Sequence, residues 1–230
     1  MSHGTSGPRI EADHLVIASR TLEEGAAWCE ATFGVRPEPG GRHALMATHN
    51  LLLAVGSARY PRTFLEIIAI DPAAPLPRGR RWFDLDAPAL QQALQLGPTL
   101  VHWVARTNDI EAGARLLRDA AHDPGAPTLV ERMTPRGLLR WRITLRADGR
   151  RPADGAVPLL IEWGAEHPCD GLEDRGVRLE RLEVAGVPAE LAAVLGVDPV
   201  QPGAAAAPLT AILTTPGGRI ALASPARFIA

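Results

Sequence analysis

The chain has no lysine, only two cysteines and few aromatic residues. All 24 of its basic residues are arginine. This excludes Schiff-base aldolases, enzymes that anchor pyridoxal phosphate as an imine, and phosphate-binding loops that end in Gly-Lys-Ser/Thr. Cys29 and Cys169 form neither a CxxC pair nor a disulfide framework. We therefore expect a protein of the reducing cytoplasm.

Long apolar runs and a strong net charge are also absent. No stretch approaches the roughly 18 apolar residues of a membrane-spanning helix, and the polar residues 1–8 lack the apolar core of a secretory signal. The formal charge of −2 gives no reason to expect nucleic acid or an anionic membrane as a partner. A small-molecule substrate is the expected partner.

Two phrases occur twice in this sequence. Residues 14–26 and 102–114 share His, Val, Glu, Gly and Ala at matching positions without a gap. The pattern E-x-x-A-x-x-P occurs at residues 66–72 and again at 162–168. The first unit runs from His14 to Glu66 and the second from His102 to Glu162, so one template with loops of different length explains both. Each unit supplies one imidazole and one carboxylate.

Hydrophobic periodicity and turn residues predict the order of elements in each unit. Residues 10–72 form the first βαβββ module, with strands at 10–18, 43–48, 50–55 and 63–70 and a helix at 22–33. Thr21 caps this helix and Gly34 ends it.

The rest of the chain repeats this order. Residues 73–98 are predicted as a crossover linker with a short helix, and residues 99–168 as the second βαβββ module. Residues 1–9 are predicted as a disordered tail. Residues 176–224 read as a third, partial βαββ module, in which Arg181 and Ala221 replace the histidine and the glutamate. We therefore expect the third module to have a packing role.

The duplicated histidines and glutamates are the candidate site. Glu66 and Glu162 lie within apolar strands, where a bare carboxylate is costly unless it is paired or bound. We predict that His14, Glu66, His102 and Glu162 meet at a pseudo-twofold axis and hold a divalent cation. Imidazole and carboxylate without thiolate suit Zn, Ni, Co, Mn or Fe. Glu66 and Glu162 are the candidate catalytic groups for proton transfer. The alternative is a metal-free pocket in which these side chains hydrogen-bond each other.

Further polar residues are candidates for contact with substrate. His49 and Asn50 lie in the middle strands of the first unit, close to the expected mouth of the site. His43 follows two glycines and Arg42, and Arg106 comes just after the second histidine strand. Turn chemistry and solvation explain such residues equally well.

Several arginine and aromatic residues fit two roles. Arg140 and Arg142 can pair with a substrate carboxylate or with solvent. The aromatic residues Trp82, Phe83 and Trp141 can line a pocket or belong to the core. His3, His122 and His167 lie in tails or turns, and we expect them at the surface.

These residues carry a resemblance to a known family. Residues 13–16, 41–43, 48–52, 65–69, 82–86 and 103–107 resemble bacterial glyoxalase-like domain proteins of the vicinal oxygen chelate superfamily. The resemblance covers roughly residues 10–168. It implies an α+β fold in which tandem βαβββ modules form a cup-shaped mixed sheet with the site inside the cup. It also implies that His14, Glu66, His102 and Glu162 stand at the superfamily's metal-ligand positions.

Two functions of different class follow. The first is a divalent-metal-dependent lyase, isomerase or dioxygenase that acts on a small substrate with vicinal oxygens. The alternative is a metal-free binding or sequestering protein of the bleomycin-resistance type. Because one chain contains both units, we expect a monomer or a weak homodimer.

Overall fold

The chain forms a large sheet, a small sheet and four helices, shown by a computed structural model that describes residues 7–134, 137–201 and 207–225. Residues 1–6 of the predicted tail and residues 202–206 of the predicted third module lie outside the described residues. None of the described helices is long and apolar enough to cross a bilayer. The helices are α1 (Leu22–Phe33), α2 (Pro88–Ala93), α3 (Ile110–Asp119) and α4 (Ala189–Leu195). The strands are β1 (Ile10–Ala18), β2 (Glu38–His43), β3 (Thr48–Ala54), β4 (Phe64–Ile70), β5 (Thr99–Thr107), β6 (Ala126–Thr134), β7 (Gly137–Leu145), β8 (Leu159–Trp163), β9 (Arg178–Ala185), β10 (Asp198–Val200), β11 (Leu209–Thr215) and β12 (Gly218–Ala223).

The large sheet has eight strands in the order β2-β3-β4-β1-β5-β8-β7-β6. The first strands of the two units, β1 and β5, run antiparallel at its centre. Each pairs in parallel with the last strand of its own unit, β1 with β4 and β5 with β8. The edge strands β2 and β6 approach each other, so the sheet curves until it is nearly closed. The predicted α+β class with a curved mixed sheet is confirmed.

The central strand β1 is buried on both faces, which its continuous apolar run from Leu15 to Ala18 favours. The helix that follows, α1, begins and ends at the residues that the capping signals predict. The Thr21 side chain accepts a hydrogen bond from the backbone N–H of Glu24, and Gly34 ends the helix in the left-handed conformation at φ 74°. The predicted helix at residues 22–33 is confirmed.

The large sheet separates two apolar clusters. Leu15 and Ile17 of β1 face outward, where they pack with α1, α3, α4 and the small sheet. Val16 and Ala18 face the inside of the curve with Ile68, Trp82 and Trp141. The small sheet has the order β10-β9-β11-β12. Its packing covers the outer face and leaves the inner face to form the site.

Some predicted strand boundaries are wrong. Residues 44–47, predicted as part of a strand at 43–48, form a turn between β2 and β3, with Ala47 at a positive φ of 49°. The βαβββ order predicted for the second module includes a strand at the place of β6, but the sequence did not indicate which residues form it. It is an edge strand whose residues alternate between intermediate and exposed, so it lacks the apolar run of the central strands.

Candidate active site

A cleft opens inside the curved sheet, with an empty volume of about 410 Å³ that includes space open to solvent. Elements of both units contribute to its walls. Its aromatic lining consists of Phe64, Trp82, Phe83, Trp141 and Trp163. Its polar lining consists of His14, His43, Asn50, Glu66 and Arg132.

His14 is held in one orientation by the residue before it. Its Nδ1 lies 2.6 Å from Oδ1 of Asp13, a fully buried carboxylate. A carboxylate accepts only, so Nδ1–H donates to it and neutral His14 carries its lone pair on Nε2. Nε2 faces the cleft and lies 3.6 Å from Oε2 of Glu66.

Asp13 has two further donors on its second oxygen. Oδ2 accepts hydrogen bonds from Trp163 Nε1 at 3.0 Å and from His167 Nε2 at 2.9 Å. Burial alone would raise the pKa of Asp13, but the hydrogen bonds from His14 and His167 outweigh it and hold this pKa well below its usual range. Asp13 therefore stays ionised behind His14.

His167 also belongs to the hydrogen-bond network of Asp13. The prediction that it lies at the surface is wrong, since it is only 5% exposed. Its Nδ1 accepts from the backbone N–H of Cys169 at 3.1 Å, which leaves the proton on Nε2 for Asp13. His122 is partly buried, and His3 lies outside the described residues.

Glu66 lies beside His14, on the neighbouring strand β4. Its Oε1 accepts a 2.6 Å hydrogen bond from Asn50 Nδ2 and lies 3.8 Å from His43 Nε2. Glu66 is 5% exposed, so these contacts replace much of the water that a carboxylate requires. The structure thus brings together four predicted site residues, His14, Glu66, Asn50 and His43.

His43 is a neutral histidine on the wall of the cleft. Its ring lies edge-on to Trp82, with 5.0 Å between ring centroids, and its Nδ1 lies 3.1 Å from Thr48 Oγ1. Burial lowers the pKa of His43 to about 4; the charge of Arg132 acts in the same direction, whereas the charge of Glu66 opposes it. His43 therefore contributes hydrogen bonds rather than charge at neutral pH.

His102 does not reach the cleft. It is fully buried beside Phe83, with 5.4 Å between ring centroids. Its Nε2 lone pair accepts a 3.2 Å hydrogen bond from the backbone N–H of Leu159. Burial lowers the pKa of His102 well below its ordinary value, and the charge of Arg151 acts in the same direction. His102 is thus a neutral core residue.

The strand register explains why the first unit places both of its residues in the cleft. Glu66 pairs with Val16, which lies two residues after His14 on β1. Side chains alternate along a strand, so an even separation puts His14 and Glu66 on the same face.

The second unit has a different register. Ile161 of β8 pairs with Arg106, four residues after His102 on β5, and Ile161 lines the cleft. Glu162 comes one residue later and faces the outer side, where its Oε2 accepts a 2.8 Å hydrogen bond from the backbone N–H of Ile110 at the start of α3. The repeated phrase therefore does not give Glu162 the position of Glu66.

The predicted four-ligand metal centre does not fit this arrangement. His14 and Glu66 face the same space. The Nε2 lone pair of His102 already accepts a hydrogen bond from the backbone, and Glu162 lies on the other face of the sheet. Within the described residues, no three His, Cys, Asp or Glu side chains are placed to hold a metal ion together. We therefore derive no chemistry from a metal at these four residues.

We expect Glu162→Gln to have a small effect. The carboxylate lies at the N-terminus of α3 and 3.8 Å from Arg142 at the surface, so its loss should lower the free energy of unfolding by about 1 kcal/mol or less. Urea unfolding of both proteins measures this. A lower divalent-metal content in the variant after dialysis against each candidate metal would contradict the placement of Glu162.

The remaining predicted substrate residues lie outside the cleft. The Arg106 guanidinium donates to the backbone oxygen of Ala12 at 2.8 Å and to Glu11 at 2.5 Å. His49 is a neighbour of Asn50 on β3 and points to the opposite face. Arg140 and Arg142 pair with Glu131 and Glu111. These arginines therefore have protein partners.

The comparisons with known proteins agree with the fold. A family described as a glyoxalase-like domain matches residues 12–199. A hypothetical protein from Staphylococcus aureus is 15% identical with a TM-score of 0.58, over 94% of this chain and 86% of that chain. Methylmalonyl-CoA epimerase from Mycobacterium tuberculosis is 18% identical with a TM-score of 0.37, over 66% and 85% of the two chains. A Streptomyces coelicolor methylmalonyl-CoA epimerase is 16% identical with a TM-score of 0.40, over 68% and 96%. No curated protein matches the chain.

Proposed function

The chain belongs to the glyoxalase-like domain family, and from this premise we propose that it is a lyase or isomerase that moves protons on a small organic substrate in the cleft. His14 and Glu66 are its proton-transfer groups. The observation that carries the proposal is the orientation of His14, whose Nδ1–H is bound to buried Asp13 and whose Nε2 faces the cleft.

The pair of Asp13 and His14 has the geometry of a general base with its orienting carboxylate. When Nε2 takes a proton, the imidazolium lies between two carboxylates, Asp13 at 2.6 Å and Glu66 at 3.6 Å. Both stabilise the charge that develops on the ring. Because Asn50 holds the other oxygen of Glu66, the carboxylate needs little reorganisation during the reaction.

In the proposed reaction the proton and the electron pair of one C–H bond move separately. A substrate carbon next to a carbonyl group gives its proton to His14 Nε2, and the electron pair of the C–H bond moves to the carbonyl oxygen. In an isomerase the proton returns to a neighbouring atom. In a lyase the electron pair returns from the carbonyl oxygen to form a C=C bond, the bond to a leaving group on the next carbon breaks, and the leaving group takes the proton from His14. Glu66, 3.6 Å from Nε2, is placed to exchange the proton with His14.

A second candidate is a protein that binds and sequesters a small molecule without changing it. Five aromatic side chains line the cleft, and such walls suit a flat apolar ligand in either function. The two candidates differ in whether proton transfer accompanies binding.

The test is exchange of substrate C–H protons with D₂O, followed by NMR. The panel contains hemithioacetals, hydroxy ketones and keto acids. We expect the wild type to accelerate exchange of at least one compound, and we expect Glu66→Gln to lower that rate roughly 10²-fold. Glu162→Gln, the matched change in the second unit, should retain the wild-type rate.

Two results would count against the proposal. Equal exchange rates in the two glutamine variants would remove the special role of Glu66. Quenching of tryptophan fluorescence by panel compounds, with no exchange in any of them, would favour the sequestering protein instead.

A further inference from the structure

Arg132 is a cleft residue that the repeats did not indicate. It lies on β6, where side chains alternate between the two faces. Val130 packs against the inner cluster and Arg132 lines the cleft. Glu131 points outward and accepts a 3.0 Å hydrogen bond from Arg140, and Met133 is 76% exposed. The edge strand therefore directs one arginine inward.

Among the described residues, the guanidinium of Arg132 has packing contacts rather than hydrogen bonds. Its Cζ lies 5.8 Å from the ring centroid of Trp141. On another side it lies against Gly41, where an added Cβ would come within 2.2 Å of Nη1. The absence of a side chain at Gly41 thus leaves room for the guanidinium at this edge of the cleft.

Two donors of this side chain lack acceptors. Nε and Nη1 of Arg132 are buried and have no hydrogen-bond partner among the described residues. The indole Nε1 of Trp82, which also lines the cleft, is likewise buried without a described partner. Buried donors without acceptors are costly, and a ligand oxygen in the cleft would supply what they lack.

The Glu66 carboxylate does not occupy the donors of Arg132. Glu66 is the sole carboxylate among the described lining residues. Its two oxygens face Asn50 and His14, so it does not accept from Arg132. Burial lowers the pKa of Arg132, whereas the charge of Glu66 opposes this shift.

We propose that Arg132 binds the carboxylate of a small organic acid whose flat part lies against Trp141, with Trp82 as an additional donor. This takes the cleft as the substrate site of the proposed function. It narrows the substrate to compounds that carry a carboxylate in addition to the carbon from which His14 takes a proton. A charge-assisted hydrogen bond orients such a substrate between the two groups.

The test uses benzoate as the probe and benzamide as its uncharged counterpart. Binding is measured by tryptophan fluorescence and calorimetry on the full chain. We expect benzoate to bind more tightly than benzamide to the wild type. We expect Arg132→Met to raise the Kd of benzoate roughly 10- to 100-fold, and Arg132→Lys to retain part of the affinity. Arg140→Met, which removes a surface arginine on the next strand, should leave the Kd unchanged.

A second variant tests the position of the guanidinium without removing its charge. Gly41→Ala places a methyl group 2.2 Å from the position of Nη1, so the guanidinium must move. This should weaken benzoate binding in a protein that retains all of its arginines. The proposal is wrong if benzoate fails to bind the wild type at tens of millimolar, or if benzoate and benzamide bind equally. It is also wrong if phenyl phosphate binds more tightly than benzoate, because the site would then prefer a phosphate.

Two variants, Glu66→Gln and Arg132→Met, distinguish a failure of the carboxylate site from a failure of the acid–base roles. Glu66→Gln removes a proton-transfer group but leaves Arg132, so the variant should bind benzoate at least as tightly as the wild type. Loss of benzoate binding in Arg132→Met alone, with no effect of Glu66→Gln on exchange, would support the carboxylate site and reject the acid–base roles. The reverse pattern would reject the carboxylate site only.

Discussion

Replacing Asp13 by asparagine is expected to slow proton exchange roughly 10³- to 10⁴-fold and to lower the free energy of unfolding by about 2–4 kcal/mol. Both effects have the same origin. The carboxylate accepts from His14 on one oxygen and from Trp163 and His167 on the other. An amide offers only one oxygen in place of two.

The orientation of the amide follows from the donors around it. The indole N–H of Trp163 can only donate, so the amide oxygen should stay on the side of Trp163 and His167. The NH₂ group then faces His14 Nδ1. To avoid two donors in contact, His14 must take the other tautomer, with its proton on Nε2. His14 can then no longer accept a proton from substrate.

The matched control is Asp71→Asn. Asp71 is also buried, at 3% exposed, but it pairs with Arg42 at 3.1 Å and accepts from the backbone N–H of Ala73. It has no contact with His14. We expect Asp71→Asn to destabilise the fold while the exchange rate stays near that of the wild type. An Asp13→Asn protein that is folded and exchanges at the wild-type rate would show that His14 is not the base.

The pH dependence of this stability difference has a defined sign. The pKa of Asp13 is lower in the folded chain than in the unfolded chain. Its contribution is therefore complete above the unfolded pKa and decreases as pH falls below about 4. The difference in unfolding free energy between the wild type and Asp13→Asn should be constant from neutral pH to about pH 5 and should shrink at lower pH.

The sequence could predict the residues that the first unit contributes to the site, but it could not predict where the corresponding residues of the second unit lie. His14 and Glu66 lie on strands whose register keeps both on one face. The repeated phrase pointed to His14, and a carboxylate within an apolar strand pointed to Glu66. The same reasoning applied to Glu162, but two repeated phrases do not reveal the register between their strands. In this chain β8 is placed so that Ile161 faces the cleft, and a shift of one residue reverses the face of every side chain.

The residues that the sequence did not indicate are brought to the cleft by long-range packing. His167 is 154 residues from Asp13 in sequence, yet the two side chains are hydrogen-bonded. Arg132 lies on an edge strand that lacks an apolar pattern, so neither the residues of its strand nor its direction could be predicted. Asp13 could have been identified from the sequence. It precedes His14 within an apolar strand, and a carboxylate in such a strand needs a partner, as Glu66 does in β4.

We expect the fold to lose stability steeply on mild acidification, before Asp13 is protonated. His43 and His102 are buried and neutral. Burial lowers the pKa of His43 to about 4 and that of His102 well below its usual value. Both titrate near pH 6.5 in the unfolded chain. Between about pH 6.5 and 4 the unfolded chain therefore binds more protons, and stability falls as pH falls.

The expected loss due to His43 alone is about 2–3 kcal/mol between pH 7 and 4.5, because one pKa unit corresponds to about 1.4 kcal/mol. His102 adds to this loss. Urea unfolding across this range measures the effect, and His43→Asn and His102→Asn should each give a flatter profile than the wild type. His49, a partly buried histidine outside the cleft, provides the control variant, His49→Asn. Parallel profiles for all four proteins would mean that protons reach the two buried rings in the folded chain. In that case the inner face would be open to water, and the low polarity that strengthens the contacts of Asp13, His14 and Glu66 would not be maintained.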